Sequence, residues 1–205
     1  MTKYTIYHYG FGLCLLLLFS ACGKKSLDKK EYLDWYNSDQ NTLIKTKTID
    51  GVGLDMKLKV QDYFLAANDA VTTNATTEDP YWDVDFRMSS VDKSKRIADM
   101  LTAKFGQDGE VNMDLWLAFG MKDRIKLYTA IDTVNCTMFH QVRNYDLAPY
   151  LDFTIGFPVD KKINKTLFNE GFKIRVDLAE FGMGSQDFEY KASDFDQLPQ
   201  LEKNK

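Results

Sequence analysis

Cysteine, histidine and proline are scarce here: three, two and four among 205 residues. Each scarcity removes a class of function. A structural zinc site takes four Cys or His ligands, and beyond residue 22 the chain offers only Cys136 and His140. These two lie four positions apart in an alternating stretch, so on one strand they share a face about 13 Å apart. A thiolate–imidazole dyad needs hydrogen-bond contact, which that spacing denies. A disulfide framework fails on the same count. No apolar run reaches the roughly 20 residues of a spanning helix, because Tyr7, His8, Tyr9, Gly10 and Gly12 interrupt the stretch before Leu13. Basic charge is not in surplus either. A net charge of −4 disfavours nucleic acid and a broad anionic lipid surface as partners. Gly-x-Ser-x-Gly, His-Glu-x-x-His and EF-hand patterns are missing, and Gly51-Val-Gly53 and Gly182-Met-Gly184 lack the strand–loop–helix setting of a phosphate site. The sequence therefore calls for no metal and no cofactor.

What the chain does have is an address. Phe11 to Phe19 form a short apolar run that ends in Ser20-Ala21-Cys22 and passes at once into Gly23-Lys24-Lys25. An apolar middle of about 7–15 residues before small residues is a secretory leader. The stretch resembles the bacterial lipobox, in which a small residue precedes the cysteine that receives the lipid. Cys14 is not that acceptor, since bulky Leu13 precedes it. The expected organisation is a signal peptide over 1–21, lipidation at Cys22, a tether over 22–30 and one domain over 31–205. Cleavage before Cys22 leaves 184 residues and removes Lys3, so the net charge moves from −4 to −5. Two or more acyl chains hold a protein stably on a bilayer, so the first expected partner is the membrane.

The domain reads as mostly β, in the α+β class. Asp28-Lys-Lys-Glu31 approximates a capping box for a short helix through Asn37. Val52 to Val60 and Trp82 to Met88 alternate apolar and polar residues, as half-buried strands do. Asp50-Gly51 marks a hairpin, and a three-residue Ile49-Asp50-Gly51 loop is expected because it pairs Thr48 with Val52 and keeps Lys47 off the apolar face. Gln61 to Asn68 reads as one or two helical turns. Ser89-Ser90 is expected to cap the one amphipathic helix, Val91 to Phe105. Alternation then returns in Val111–Phe119, Cys136–Val142, Leu151–Phe157 and Phe172–Leu178, with a weaker strand at Phe188–Lys191 and turns at Pro158–Asn164 and Gly182–Gln186. Seven or more antiparallel strands make a single β-sandwich or curled sheet.

Several candidate groups have a plain structural alternative. Asp83-Val-Asp85 resembles the Asp-x-Asp of glycosyltransferases, yet it occupies the polar phase of a strand. Cys136 and His140 are expected in the core phase with Met138 and Val142. Tyr81, Trp82, Trp116, Phe139, Tyr145 and Tyr150 supply aromatic surface for a sugar or a small apolar ligand.

Several segments together resemble a family of small, uncharacterised lipoproteins of Bacteroidota. They are Asn41–Gly51, Val60-Gln-Asp-Tyr-Phe64, Asp132–His140, Arg143-Asn-Tyr-Asp-Leu-Ala-Pro-Tyr150, Phe153-Thr-Ile-Gly-Phe157 and Leu198-Pro-Gln-Leu201. The resemblance implies an envelope location and a shared fold, without an activity. In that phylum, surface lipoproteins carry acidic residues soon after the lipidated cysteine. The basic Gly23-Lys24-Lys25 therefore implies the periplasmic leaflet of the outer membrane. The expected role is a non-enzymatic accessory or structural subunit of an envelope assembly, with a protein partner. The expected interaction surface is Phe139, His140, Arg143, Tyr145, Pro149 and Tyr150, on loops carried by a rigid sheet. Binding of a glycan or small ligand is the alternative, and a hydrolase-like enzyme centred on His140 comes third.

Overall fold

Apolar residues alternating over Val52–Leu58 and Trp82–Met88 form strands that bury one face. The computed structural model describes residues 25–67, 81–105, 112–142 and 148–202. Eleven strands are present among them: β1 (Ser26–Leu27), β2 (Ile44–Ile49), β3 (Val52–Lys59), β4 (Tyr81–Ser90), β5 (Ile125–Tyr128), β6 (Thr133–Asn135), β7 (Met138–Val142), β8 (Tyr150–Pro158), β9 (Phe172–Asp177), β10 (Ser185–Tyr190) and β11 (Gln200–Leu201). One antiparallel sheet has the order β2-β3-β4-β8-β7 and a second the order β10-β9-β5-β6. Val52, Leu54, Met56 and Leu58 of β3, with Trp82, Val84, Phe86 and Met88 of β4, are buried in the core. The second sheet contributes Ile174, Val176, Phe188 and Tyr190 to that core. Phe86 meets Phe188 edge-on at 6.1 Å, and the Tyr190 hydroxyl donates to the Met56 carbonyl at 3.1 Å. The fold is the expected α+β sandwich.

Helices fill the ends. They are α1 (Lys29–Tyr36), α2 (Gln61–Ala67), α3 (Ile97–Lys104), α4 (Lys161–Glu170) and α5 (Ala192–Asp196). The capping box forms as expected, Asp28 accepting from the Glu31 N–H at 2.8 Å and Glu31 from the Asp28 N–H at 3.3 Å. Behind it, Tyr32, Tyr36, Leu27 and Ala66 make a second, smaller core. That core joins the sandwich at the Lys59 end of β3, where the Tyr36 hydroxyl donates to the Leu58 carbonyl at 3.1 Å. The opposite end of the same sheet carries the Asp50-Gly51 turn and α3, linked by an ion pair of 3.2 Å between Lys104 and Asp50.

Five local expectations are corrected. The hairpin pairs Ile49 with Val52 and Lys47 with Leu54, so the turn has two residues, Asp50 and Gly51, with φ of 50° and 79°. Positive φ at both positions matches the twist of the flanking strands. Lys47 does point to the inner face, at the sheet edge, where its ammonium lies 5.6 Å from the Phe188 ring centre. An inward lysine on an edge strand keeps that edge from pairing with another chain. Helix α3 begins at Ile97 rather than Val91, because Asp92 accepts from the Ser94 N–H and hydroxyl and holds a turn first. Pro158–Asn164 is not all turn, since Asp160 caps α4 through the Ile163 N–H at 2.7 Å. Within the expected strand Val111–Phe119, the described residues are helical: Met113–Leu115 runs into a π-helical Trp116–Gly120 and a tight turn Met121–Arg124. Finally, residues 25–30 of the expected tether are folded, for Ser26–Leu27 pairs in parallel with Gln200–Leu201 and Lys29 opens α1.

Candidate functional site

The expected surface gathers on β7, and its geometry is set two residues earlier. Cys136 ends the run through β6: its N–H donates to Ile125 in the second sheet at 3.3 Å. Thr137 then donates to Gly156 of β8 in the first sheet at 3.0 Å. The chain thus changes sheets between these residues and its side-chain phase inverts. Tyr81 locks the crossover, its hydroxyl sharing a hydrogen bond of 2.7 Å with the Thr137 hydroxyl. Its ring occupies the space a Cβ at Gly156 would need.

This inversion corrects the expected phase. Cys136 is buried, but Met138, His140 and Val142 point outward, Met138 being 37% and Val142 43% exposed. Phe139 turns inward and stacks on Phe153 at 5.4 Å, which stacks on Phe86 at 6.0 Å. Burial pushes the Cys136 thiol up to about 11, and its Sγ donates to the Met138 carbonyl at 3.1 Å. An inert, buried thiol is the result. His140 faces solvent opposite Thr154, which lies opposite Asp85, which lies opposite Lys57. Two strand spacings, about 10 Å, separate His140 from Asp85, too far for a histidine–carboxylate dyad.

The rest of that outer face is charged, with Arg87–Asp152 and Lys59–Asp85 as its ion pairs. Arg87 grips Asp152 with two bonds of 2.7 and 2.9 Å and covers the Tyr150 ring at 3.8 Å. Lys59 bonds Asp85 at 2.6 Å. Asp83, the first carboxylate of Asp83-Val-Asp85, has one buried oxygen without a hydrogen-bond partner, and burial pushes its carboxyl up. Lys57 donates to Asn37 at 2.8 Å over the Tyr36 ring, and burial lowers its ammonium to about 8. Among the described residues no three His, Cys, Asp or Glu side chains converge as a metal site would require.

Of the other expected residues, Pro149 is exposed and Tyr150 half-buried, while Cys22, Arg143 and Tyr145 lie outside the described residues. The aromatic surface is mostly interior. Trp82 is buried among Phe168, Phe172 and Phe195, with its indole N–H on Asn164 at 2.8 Å. Trp116 is buried against Phe105 and Phe181. A groove of about 470 Å³ between the small core and α4 is lined by Tyr32, Asp62, Phe168, Asn169, Phe195 and Pro199, and Phe168 alone among its aromatics is exposed.

Sequence reasoning missed one exposed apolar pair. Leu115 and Phe119, 59% and 73% exposed, stand one helical turn apart on the segment that packs against β7. Met113, Trp116, Leu117 and Met121 carry the helical spacing that points the other way, into the core. No helix among the described residues is long and apolar enough to cross a membrane. No family model matches the chain, and no curated protein matches it. A crystal structure of a protein of unknown function from Burkholderia pseudomallei is similar over 83% of this chain and 92% of its own, at 11% identity and a TM-score of 0.41.

Proposed function

We propose that the protein is a lipid-anchored accessory subunit of the cell envelope, held through Cys22 at the periplasmic leaflet of the outer membrane. It contacts a protein partner through the outward residues of β7, the Leu115–Phe119 pair and the Pro149–Tyr150 corner. One observation carries this reading: the amino-terminal segment and the corner occupy opposite ends of one rigid sheet. Residues 25–36 join at the Lys59 end of β3, whereas Tyr150 pairs with Ser89 and lies by Gly53 at the other. Seven strand steps from Val52 to Lys59 put about 23 Å between those ends. A protein anchored at one end offers the Pro149–Tyr150 corner to a partner, and β7 runs from beside the anchored end, where Met138 is level with Lys59 through Gly156 and Asp83, toward mid-sheet at Val142. Solvent-facing apolar residues flanked by polar ones suit such a contact.

Photocrosslinking from positions 140 and 119 in intact cells tests the reading. Discrete adducts at these two positions, and none from Lys173 on the second sheet, are expected. No adduct at either position removes the proposed surface. Protease added to intact cells tests the leaflet, and complete degradation overturns the periplasmic placement. A glycan-binding role draws on the Phe168 groove, with Trp82 and Trp116 sealed in the core.

A further inference from the structure

Three residue steps separate Cys22 from Lys25. Lys25 is already held, its carbonyl accepting the Gln200 N–H at 2.9 Å, and the Leu27 carbonyl accepts the Glu202 N–H at 2.8 Å. Leu27 is buried in the small core and Asp28 caps α1. Three fully extended residues span at most about 11 Å, half the about 23 Å length of β3. An acylated Cys22 therefore lacks the slack for the body to turn over.

We propose that the face formed by β1, β11 and the exposed side of α1 is seated on phospholipid headgroups. The Lys59 end of the sheet then faces the bilayer and the Asp50-Gly51 turn points away. This inference rests on lipidation of Cys22. The chemistry of the face suits its occupant. Trp35 is half-buried, with its ring 5.5 Å from Tyr32, and an indole with an apolar body and a donor edge favours the water–lipid boundary. Lys25 is exposed beside it, on a stem long enough to reach phosphate oxygens. Lys25 also lines a groove of about 370 Å³ together with Leu27, Trp35, Gln197 and Pro199. Glu31 and Asp34 share the face, so charge does not drive the seating. The covalent anchor supplies the affinity and the short tether supplies the orientation, as an acidic chain requires.

The test uses full-length protein purified from membranes and placed in vesicles of phosphatidylethanolamine and phosphatidylglycerol. A polarity-sensitive fluorophore is attached in Gln197→Cys, next to the proposed face, or in Lys93→Cys, in the turn beside Gly51. Buried Cys136 stays unlabelled. Emission should shift to the blue on vesicles at position 197 and stay unchanged at 93. A Gly/Ser linker of about 20 residues between Lys24 and Lys25 has a root-mean-square length near 25 Å, and should abolish the shift. Mass measurement of the amino-terminal peptide separates the two readings. A peptide without lipid overturns the anchor and this orientation together. A lipidated peptide with no shift at 197, an equal shift at 93, or a shift that survives the linker overturns the orientation alone.

Discussion

The inverted phase of β7 has a measurable consequence, because neighbouring residues exchange roles. If the strand ran in one phase from Cys136, His140 would sit in the core and Phe139 would face water. In the structure Phe139 packs on Phe153 and His140 faces solvent. Full burial makes Phe→Ala cost about 3–5 kcal/mol. Phe139 is half-buried, so about 2 kcal/mol is expected from the lost area, with about 0.5–1 kcal/mol more from the stacked pair. For a body of this size that lowers Tm by about 5–10 °C. His140→Ala removes an exposed side chain and should stay within about 0.5 kcal/mol. Urea unfolding of the mature protein, read by tryptophan fluorescence, measures both, since Trp82 and Trp116 report the core. An unchanged m-value would show that the denatured state is the same. A loss at His140 equal to or larger than that at Phe139 refutes the sheet crossover at Cys136–Thr137. A neutral His140→Ala also makes that position clean for the crosslinking experiment, where folding defects would mimic lost contact.

Three further outcomes follow from the same geometry. Burial lowers Lys57 from 10.5 to about 8, so between those values the unfolded chain holds a proton that the folded chain has released, and stability rises with pH across that window. The Cys136 thiol, raised from 9.0 to about 11, acts in the opposite sense, so the comparison is wild type against Lys57→Met. Wild type should gain on the variant from pH 8 to 10.5, and a flat difference in chemical unfolding rejects the desolvated ammonium. Cys136 itself should resist iodoacetamide at pH 8 in the native protein and react once urea unfolds it; rapid native labelling contradicts a sealed thiol. Gly171 adopts φ of 77°, and a Cβ there meets the Tyr190 carbonyl. With ψ of −178° this backbone is open essentially to glycine, so Gly171→Ala should cost more than the roughly 1–3 kcal/mol of that strain alone, as a thermal melt would show.

The parts of the fold legible in the sequence are those where one signal stands alone. In Val52–Val60 and Trp82–Met88 every second residue is apolar and every residue between is polar or glycine, so only a half-buried strand fits. Asp28-Lys-Lys-Glu31 stands alone in the same way, two side chains satisfying two backbone donors. Residues 111–121 carry two signals at once. Met113, Leu115, Leu117 and Phe119 alternate, while Met113, Trp116, Leu117 and Met121 repeat at helical spacing. Packing decides between them, since only the helical set brings the large Trp116 ring against Phe105 and Phe181. The candidate site failed for a related reason. Alternation from Cys136 to Val142 is broken locally only by apolar Phe139 in the outward phase and polar His140 in the inward one, too short a mark to reveal a sheet change by itself. That change is dictated from far along the chain, by Tyr81 over Gly156 and by the carbonyls of Ile125 and Gly156 that take successive amides. A period tells which residues share a face only while the strand stays in one sheet. In a sandwich, a crossing strand exposes residues that its own pattern would bury. Met138, His140 and Val142 therefore reach solvent through topology, although their composition reads as core. That is where an apolar contact surface arises in a chain whose other large side chains are mostly already enclosed.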